Sequence, residues 1–160
     1  MKTPKRIVIW FSAGVTSAIA AKLAWEQWRD SAVPVLLVNT DTGSEDEDNY
    51  RFMADVSAWL GLPVTVIRSE KFNNTFEVYD DTGFMKNQYG AKCTTELKKK
   101  PRQKYQQSGD LQIFGFDINE RGRAQRFVEN NPEVRASFPL IDAGLDKATC
   151  RQMLVGAGVQ

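Results

Sequence analysis

The turn at residues 12–17 has the side chains and the position of an anion-binding site. Its members are Ser12, Ala13, Gly14, Val15, Thr16 and Ser17. An apolar, β-branched run precedes this turn and helical spacing follows it, so the small side chains let the backbone approach a ligand at the start of a helix. The first amides of a helix have no partners inside it and lie at the positive end of its dipole, which favours a phosphate. Close packing of the strand against the helix is the structural alternative.

A second polar group follows the second predicted strand. It consists of Asp41, Thr42 and Gly43. Open α/β sheets hold their ligands just past the carboxyl ends of the strands, so these residues are candidates for ligand contact. The alternative is a turn that leads into a helix, with Ser44 and Glu47 as its capping box.

Basic residues form two further groups. The first is Lys98, Lys99, Lys100, Arg102 and Lys104, and the second is Arg121, Arg123 and Arg126. A basic helix is usually a solvated face, but a phosphate or sulfate contact from Lys98 or Arg102 and a nucleic-acid backbone contact are alternatives. Arginine can grip phosphate or sulfate oxygens in a bidentate way, which favours an anion role for Arg123 over a structural salt bridge with Glu120.

The chain has two cysteines and no histidine. Cys93 is predicted to lie at a helix start beside Lys92, an environment that lowers a thiol pKa and makes a thiolate nucleophile; a small buried residue is an equal alternative. The absence of histidine excludes a serine-histidine-aspartate triad and an HExxH zinc site. Two cysteines cannot build a zinc or iron–sulfur cluster within one chain, so no metal site and no Fe–S cluster are expected.

These residues need a sheet that brings strand ends together. Strands are predicted at residues 7–11, 34–39, 63–68, 111–116 and 135–141, with a helix from 147 to about 155. The pattern predicts a single α/β domain over residues 1–160, with a doubly wound, mostly parallel five-stranded Rossmann-like sheet and helices on both faces. Residues 69–92 lack periodicity and are predicted to form a flap packed over the site by its aromatic side chains. Those aromatic residues are Phe72, Phe76, Tyr79, Phe84 and Tyr89.

Net charge and apolar content indicate in which compartment the protein is expected to work. The 160 residues carry a formal net charge of +1, which gives no global attraction to nucleic acid or membrane. No apolar run approaches the length of a membrane span and no signal-peptide pattern opens the chain. A cytoplasmic protein without a membrane partner is expected.

Residues 12–17 resemble the PP-loop, Ser-Gly-Gly-x-Asp-Ser, of the adenine-nucleotide α-hydrolase-like superfamily. This superfamily includes ATP pyrophosphatases and phosphoadenylyl-sulfate (PAPS) reductases. Ala13 stands at the first glycine of the pattern and Thr16 at its aspartate. The turn does not resemble a Walker loop, because no Gly-Lys-Ser/Thr follows it.

Three further segments are similar to PAPS reductase-like proteins, in the family's order. Residues 39–45 resemble the segment that meets the adenosine, and residues 93–98 resemble a Cys-Thr-x-x-Leu-Lys segment. Gly115, Glu120 and Arg123 keep their places in a Gly-x-Arg-x-x-Glu-x-x-Arg run, where Asp117 replaces the first arginine. A Phe-Pro-Leu-Ile stretch at residues 138–141 completes the resemblance.

The resemblance implies an adenine nucleotide, PAPS or ATP, lying across the first loop. The amides of residues 12–17 would hold phosphate, Asp41, Thr42 and Gly43 would face the adenosine, and Lys98 with Arg123 would neutralise the distal anion. Gly115 and Glu120 belong to the same implied nucleotide-binding set. The replacement of the loop aspartate by Thr16 disfavours tight magnesium binding, so PAPS is favoured over ATP; Mg²⁺ enters only if ATP is the ligand.

Three functions follow from this resemblance. The first is a PAPS reductase-like enzyme of sulfur metabolism or sulfur transfer, with Cys93 and Arg123 as candidate catalytic residues. The alternatives are an ATP pyrophosphatase that adenylates a nucleic-acid base or other acceptor, and a non-catalytic nucleotide-binding module. Reductases carry their nucleophilic cysteine in a C-terminal tail that this sequence lacks, so reductase chemistry by this chain alone is not expected. A reductant protein, a sulfur carrier, a nucleic-acid acceptor and a second copy of the chain in a homodimer remain open as partners.

Overall fold

A five-stranded parallel sheet organises the molecule. The computed structural model describes residues 2–83, 86–87 and 90–159. The strands are β1 Arg6–Trp10, β2 Val35–Asp41, β3 Val64–Arg68, β4 Lys86–Asn87, β5 Gly90–Ala91, β6 Asp110–Phe114 and β7 Arg135–Ser137. The main sheet has the order β3-β2-β1-β6-β7, and β4 and β5 form a separate hairpin.

All neighbouring strands of the main sheet are parallel. Ile7 of β1 is in register with Val35 of β2 on one side and with Leu111 of β6 on the other. The antiparallel β4–β5 pair lies outside this sheet. The prediction of a doubly wound α/β fold is therefore confirmed, and its mostly parallel sheet is parallel throughout.

Helices lie between the strands. They are α1 Val15–Trp28, α2 Glu47–Leu60, α3 Thr75–Thr82, α4 Lys92–Thr94, α5 Lys100–Tyr105, α6 Arg121–Asn130, α7 Pro139–Asp142 and α8 Lys147–Gly156. A π-helical segment, Thr95–Lys99, joins α4 to α5, and a 3₁₀ turn, Ile118–Glu120, precedes α6. Among the described helices, none combines the length and the apolar character needed to cross a membrane.

Both faces of the sheet are covered. Ile7, Ile9 and Phe11 face the main core, which α1, α2, α7 and α8 also line. On the opposite face the Trp10 ring meets Tyr105 of α5 at 6.0 Å, and Phe114 meets Phe127 of α6 at 4.6 Å between ring centroids. Buried strands of this kind carry continuous apolar runs, which is why the sequence pattern located them.

Alanines let α1 lie close to its neighbours. Ala18, Ala20, Ala21 and Ala24 are all buried, so the helix is covered on more than one side. Small side chains bring backbones together, and alanine also has the highest intrinsic helix propensity. The start of α1, and with it the turn at residues 12–17, is thereby fixed against the sheet.

Several predicted boundaries change. The helix after β2 is capped by Asp46, whose side chain accepts a hydrogen bond from the Asp48 amide, and not by a Ser44–Glu47 capping box. Strand β7 ends at Ser137, because Pro139 begins the short helix α7; the prediction of a strand to residue 141 was wrong. Gly61 ends α2 in a left-handed conformation, as expected of a helix-terminating glycine.

The flap contains more regular structure than its sequence indicates. Asn74 caps α3 by accepting from the Glu77 amide, and the helix ends at Gly83. Phe72 is buried, whereas Phe76 is 75% exposed and Tyr79 is 45% exposed, so the flap's described aromatics do not all pack inward as predicted. Phe84 and Tyr89 lie outside the described residues.

Candidate functional site

The carboxyl ends of β1, β2 and β6 meet at one edge of the sheet. The chain order reverses between β1 and β6: β2 and β3 lie on one side of β1, and β6 and β7 lie on the other. Parallel sheets hold ligands at such a switch point, because the connections on its two sides diverge and leave a crevice. The candidate residues after β1, β2 and β6 are brought together here.

The Ser17 hydroxyl organises the turn between β1 and α1. Its Oγ accepts hydrogen bonds from the Ser12 and Gly14 amides, both at 3.2 Å, and donates to the Gly14 carbonyl at 2.9 Å. Two of the amides predicted to hold a phosphate are therefore used within the turn. The amides of Val15, Thr16 and Ser17 lie in the first turn of α1, where a helix offers them no internal acceptors, so these are the donors that can meet an anion.

Ala13 adopts a left-handed backbone conformation with φ 56°. This is the position at which the PP-loop pattern has its first glycine. An alanine pays for this conformation in steric strain, because its Cβ crowds the following carbonyl. The turn therefore keeps the conformation that a glycine would take, at an energetic cost of about 1 kcal/mol.

Gly115 lets β6 approach the start of α1. A Cβ built on Gly115 would lie 2.6 Å from the Ser17 Cα and 2.8 Å from the Ser17 backbone nitrogen, which no side chain could occupy. The lack of a side chain at Gly115 therefore lets the end of β6 pack directly against the turn at residues 12–17.

Asp41 is 2% exposed, and protein donors surround its carboxylate. Oδ1 accepts from the Gly43 amide at 2.8 Å and from the Tyr50 hydroxyl at 3.0 Å, and Oδ2 accepts from Arg68 Nη2 at 2.5 Å. Burial acts to raise the pKa of Asp41, but the Gly43, Arg68 and Tyr50 hydrogen bonds outweigh it and hold the pKa below its usual value. The Asp41 carboxylate therefore anchors the loop after β2. Because protein donors occupy its oxygens, the groups that this loop can offer to a ligand are backbone atoms.

Thr42 and Gly43 also shape this loop. The Thr42 hydroxyl donates to Glu45 Oε1 at 2.9 Å and accepts from the Ser44 amide at 3.3 Å. Gly43 has φ +66°, and a Cβ there would lie 1.8 Å from the Asn73 carbonyl oxygen of the flap. Only glycine fits, so the loop after β2 and the flap are in direct backbone contact.

A cavity of about 600 Å³ opens on the face of the sheet that carries α5 and α6. Five basic and four aromatic side chains line it, and no carboxylate of the described residues does; the lining residues that carry this character are Lys98, Lys99, Arg102, Arg123, Arg126, Trp10, Phe114, Phe116 and Phe127. Trp10 and Phe114 end their strands, so the cavity reaches the carboxyl edge of the sheet, but residues 12–17 and 41–43 are not among its lining residues. Positive charge with aromatic walls suits a ligand that combines an anionic group with a flat ring.

Lys98 and Arg123 both line this cavity, as the distal-anion prediction requires, and each has an acidic partner. Lys98 Nζ lies 3.5 Å from Glu45 Oε1, and Arg123 Nη1 donates to Glu120 Oε1 at 2.6 Å. The Arg123 guanidinium also lies over the Phe116 ring, 4.3 Å from its centroid. Glu120 further accepts from the Asp117 amide, so its carboxylate has a structural role at the start of α6.

Cys93 and the adjacent Thr94 lie in different environments. It packs against an apolar cluster of Phe72, Val78 and Leu97, whereas Thr94 lines the cavity. The cavity lining includes neither Cys93 nor the fully buried Cys150. Among the residues that the structure describes, no group of three or more His, Cys, Asp or Glu side chains could hold a metal ion.

Sequence reasoning did not assign several residues of the cavity. Trp10 and Phe114 end their strands, and the sequence pattern treats them as core; Phe127 lies on α6 beyond the last arginine of the motif run. A usable signal was present, since large aromatic residues at the last position of two adjacent parallel strands lie at the ligand-binding edge. Their convergence with the basic residues of α5 and α6 depends on tertiary packing.

Comparisons with known proteins support the fold. No protein-family model matches the chain, and no curated protein matches it. Among solved structures, PAPS reductase from Candida auris in its phosphate complex matches with a TM-score of 0.69 at 14% identity, over 97% of this chain and 74% of that one. The U34-tRNA thiolase NcsA from Methanococcus maripaludis, with its [4Fe-4S] cluster, matches with a TM-score of 0.71 at 14% identity, over 99% of this chain and 59% of that one.

The chain shares the fold of both neighbours, so the fold that the resemblance implies is confirmed. At 14% identity the likeness does not extend to activity.

Proposed function

We propose that this protein binds an adenine nucleotide, PAPS or ATP, across the carboxyl edge of its sheet, and acts in sulfur metabolism or sulfur transfer as a PAPS reductase-like protein. One observation carries the proposal: a cavity of about 600 Å³ lined by five cations and four aromatic rings opens at the carboxyl edge of the sheet, the edge at which α1 also begins. The likeness to a PAPS reductase supports the same ligand class.

In this proposal the amides of Val15, Thr16 and Ser17 bind the phosphate next to the ribose, and backbone groups of Thr42 and Gly43 contact the adenosine. Lys98 and Arg123 neutralise the distal phosphate or sulfate. Reaction at phosphorus or sulfur moves negative charge onto a leaving oxygen, and fixed cations there stabilise that charge more in the transition state than in the ground state. Charge stabilisation at a positioned leaving group is the main contribution of these residues.

A thiol for reduction or sulfur transfer would come from a partner, either a reductant protein or a sulfur carrier, because neither cysteine lines the cavity. Cys93 remains the candidate nucleophile within this chain. Replacing Cys93 by serine tests it: turnover with a thiol partner should continue, and loss of turnover with intact nucleotide binding would make Cys93 the nucleophile.

Titration calorimetry with PAPS, ATP and AMP tests the nucleotide proposal. PAPS is expected to bind more tightly than AMP, and Arg123→Gln should weaken PAPS binding about tenfold or more, the loss expected for one charge-assisted hydrogen-bond pair. Arg121→Gln is the matched control, because Arg121 begins the same helix but does not line the cavity. Absence of binding by all three nucleotides would remove the proposal.

A second candidate is an ATP pyrophosphatase that adenylates a nucleic-acid base. Basic side chains at the mouth of the cavity, with Lys98 45% exposed, and the shared fold with a tRNA thiolase favour it. It requires pyrophosphate release from ATP in the presence of RNA, measured by a coupled phosphate assay.

If nucleotide binds and is never turned over with either acceptor class, the chain is a non-catalytic nucleotide-binding module. Ala13 and Thr16, which replace the glycine and the aspartate of the PP-loop pattern, would suit such a module.

A further inference from the structure

The Arg102 guanidinium lines the cavity and lies beside two aromatic rings that contact each other. Its Cζ atom is 5.5 Å from the Phe114 centroid and 5.1 Å from the Phe127 centroid. Arg102 Nε is buried and has no hydrogen-bond partner, and within the described part of the chain it is the only buried side-chain nitrogen or oxygen in that condition. A buried donor without an acceptor is destabilising, more so on a charged group, and therefore needs an explanation.

Three nearby cations have acidic partners. Lys98 has Glu45, Arg123 has Glu120, and Lys100 has Glu96 at 2.8 Å. Among the described residues no carboxylate pairs with Lys99, Arg126 or Arg102, but Lys99 and Arg126 are exposed to water, whereas Arg102 is partly buried against ring faces, which attract a cation and accept no directed N–H bond from the guanidinium edge. Burial lowers the pKa of Arg102, yet an arginine in a protein stays protonated, so the positive charge persists without a counter-charge.

We infer that Arg102 is a ligand-binding residue, whose guanidinium donates to a phosphate or sulfate oxyanion of the ligand in the cavity. The inference deepens the proposed function and rests on it for the nucleotide as ligand. The two aromatic rings hold the guanidinium plane in place, so its N–H donors keep a fixed orientation. Only arginine offers two parallel N–H donors in this geometry, since lysine is a point charge.

Inorganic sulfate and pyrophosphate are the probes that separate this inference from nucleotide binding. Thermal unfolding of the full chain is followed while sulfate replaces chloride at constant ionic strength, and the pyrophosphate affinity is measured by calorimetry. Both anions are expected to raise the melting temperature of the wild type. Arg102→Met should weaken pyrophosphate binding about tenfold to a hundredfold, and Arg102→Lys should recover only part of the loss, because it restores the charge and not the paired donors.

Lys104→Met is the matched control. Lys104 lies on the same helix, α5, and pairs with Glu70 at the surface, outside the cavity lining. Its anion response should equal that of the wild type. Without anion, Arg102→Met should melt no lower than the wild type, because the variant removes an uncompensated buried charge; a structural arginine would give the opposite result.

The outcomes distinguish the two proposals. Anion binding that depends on Arg102, with no binding of any nucleotide, would support the oxyanion role and remove the nucleotide function. Equal anion responses in wild type and Arg102→Met, or no response in the wild type, would overturn the Arg102 inference whatever the nucleotide results. Full recovery of affinity by Arg102→Lys would overturn the role of paired guanidinium donors.

Discussion

Asp41 shows how one buried carboxylate fixes the geometry of a whole loop. Its two oxygens join the end of β2 to Tyr50 of α2 and Arg68 of β3, and its bond to the Gly43 amide closes the turn that follows. The sequence predicted that Asp41 lies at the ligand-binding edge, and its position there is correct. Its partners were not predictable, because Tyr50 and Arg68 converge on it only after the sheet has formed.

Replacing Asp41 by asparagine should lower the free energy of unfolding at pH 7 by about 2–3 kcal/mol, since an amide has no negative charge to pair with Arg68 and only one oxygen that accepts hydrogen bonds. The folded-state pKa of Asp41 lies below the unfolded value. Its stabilisation is therefore complete above the unfolded pKa, near about 4, and is lost as pH falls through the folded pKa. Urea unfolding of both proteins as a function of pH should show the stability gap narrowing in acid. A gap independent of pH would contradict the ionic origin.

Replacing Ala13 by glycine should stabilise the protein, in contrast to the replacement of Asp41. Because its φ of 56° strains an alanine, Ala13→Gly should raise the free energy of unfolding by about 0.5–1 kcal/mol, the relief of strain exceeding the entropy that glycine adds to the unfolded chain. The control is Ala143→Gly, at an exposed position with φ −83°, where only the entropic loss applies. Equal destabilisation by both changes, measured by urea titration, would show that the turn carries no strain.

At the scale of elements, the contact between β6 and α1 sets the shape of the anion site. Gly115, which follows β6, lies against Ser17 at the start of α1, where a Cβ on Gly115 would collide with the Ser17 backbone. The sequence located both glycine and serine in motifs and predicted that Gly115 contacts the ligand. Only the packing of the two elements reveals that this position must also leave space for α1.

Gly115→Ala should therefore move β6 away from the turn, lower the melting temperature by several degrees and weaken pyrophosphate binding at the same time. A Cβ 2.6 Å from the Ser17 Cα cannot be accommodated without a backbone shift, and such overpacking typically costs about 1–3 kcal/mol. Gly156→Ala provides the control, because no atom lies within 4 Å of a Cβ at that helical position. Unchanged stability and binding in Gly115→Ala would show that the contact is not tight.

Strand and helix boundaries show where sequence patterns lose information. Four of the five main strands were predicted within two residues at each end, because β1, β2 and β6 carry continuous apolar runs and the exposed edge strand β3 is rich in β-branched residues. The stretch at residues 138–141 is equally apolar and yet contains a helical turn, since Pro139 is favourable in the first turn of a helix and cannot donate to a sheet. An apolar composition without a clear period cannot distinguish a buried strand from a helical turn.

At the scale of the whole molecule, the topology was predictable and the cavity was not. Alternating strands and helices dictate a parallel sheet, and right-handed crossovers leave few orders for its strands. The cavity depends on Phe114, Phe116, Phe127 and Arg102 meeting across two helices and one strand, residues that share no sequence spacing. Distant contacts of this kind leave no periodic signal.

Cys150 offers a measure of global stability. It is fully buried, and burial, with smaller contributions from the charges of Asp117 and Asp146, raises its thiol pKa. In a Cys93→Ser background, iodoacetamide should label Cys150 at pH 8 only through unfolding, so the labelling rate should rise steeply with urea and follow the unfolded population. Mass spectrometry of the modified peptide reports the rate. Labelling without denaturant at the rate of a free thiol would contradict the buried position.

The π-helical segment Thr95–Lys99 bears on how this chain tolerates changes in length. A π-turn holds one residue more than an α-turn, so deleting a single residue there would let the helix run on as a regular α-helix. The π-turn absorbs the extra residue, so the side chains on either side of such a deletion would keep their orientation, whereas a deletion in a regular α-helix turns all later side chains by about 100°. Arg102 would then stay at the cavity, so a one-residue gap at this segment could separate relatives that keep both the fold and the cavity.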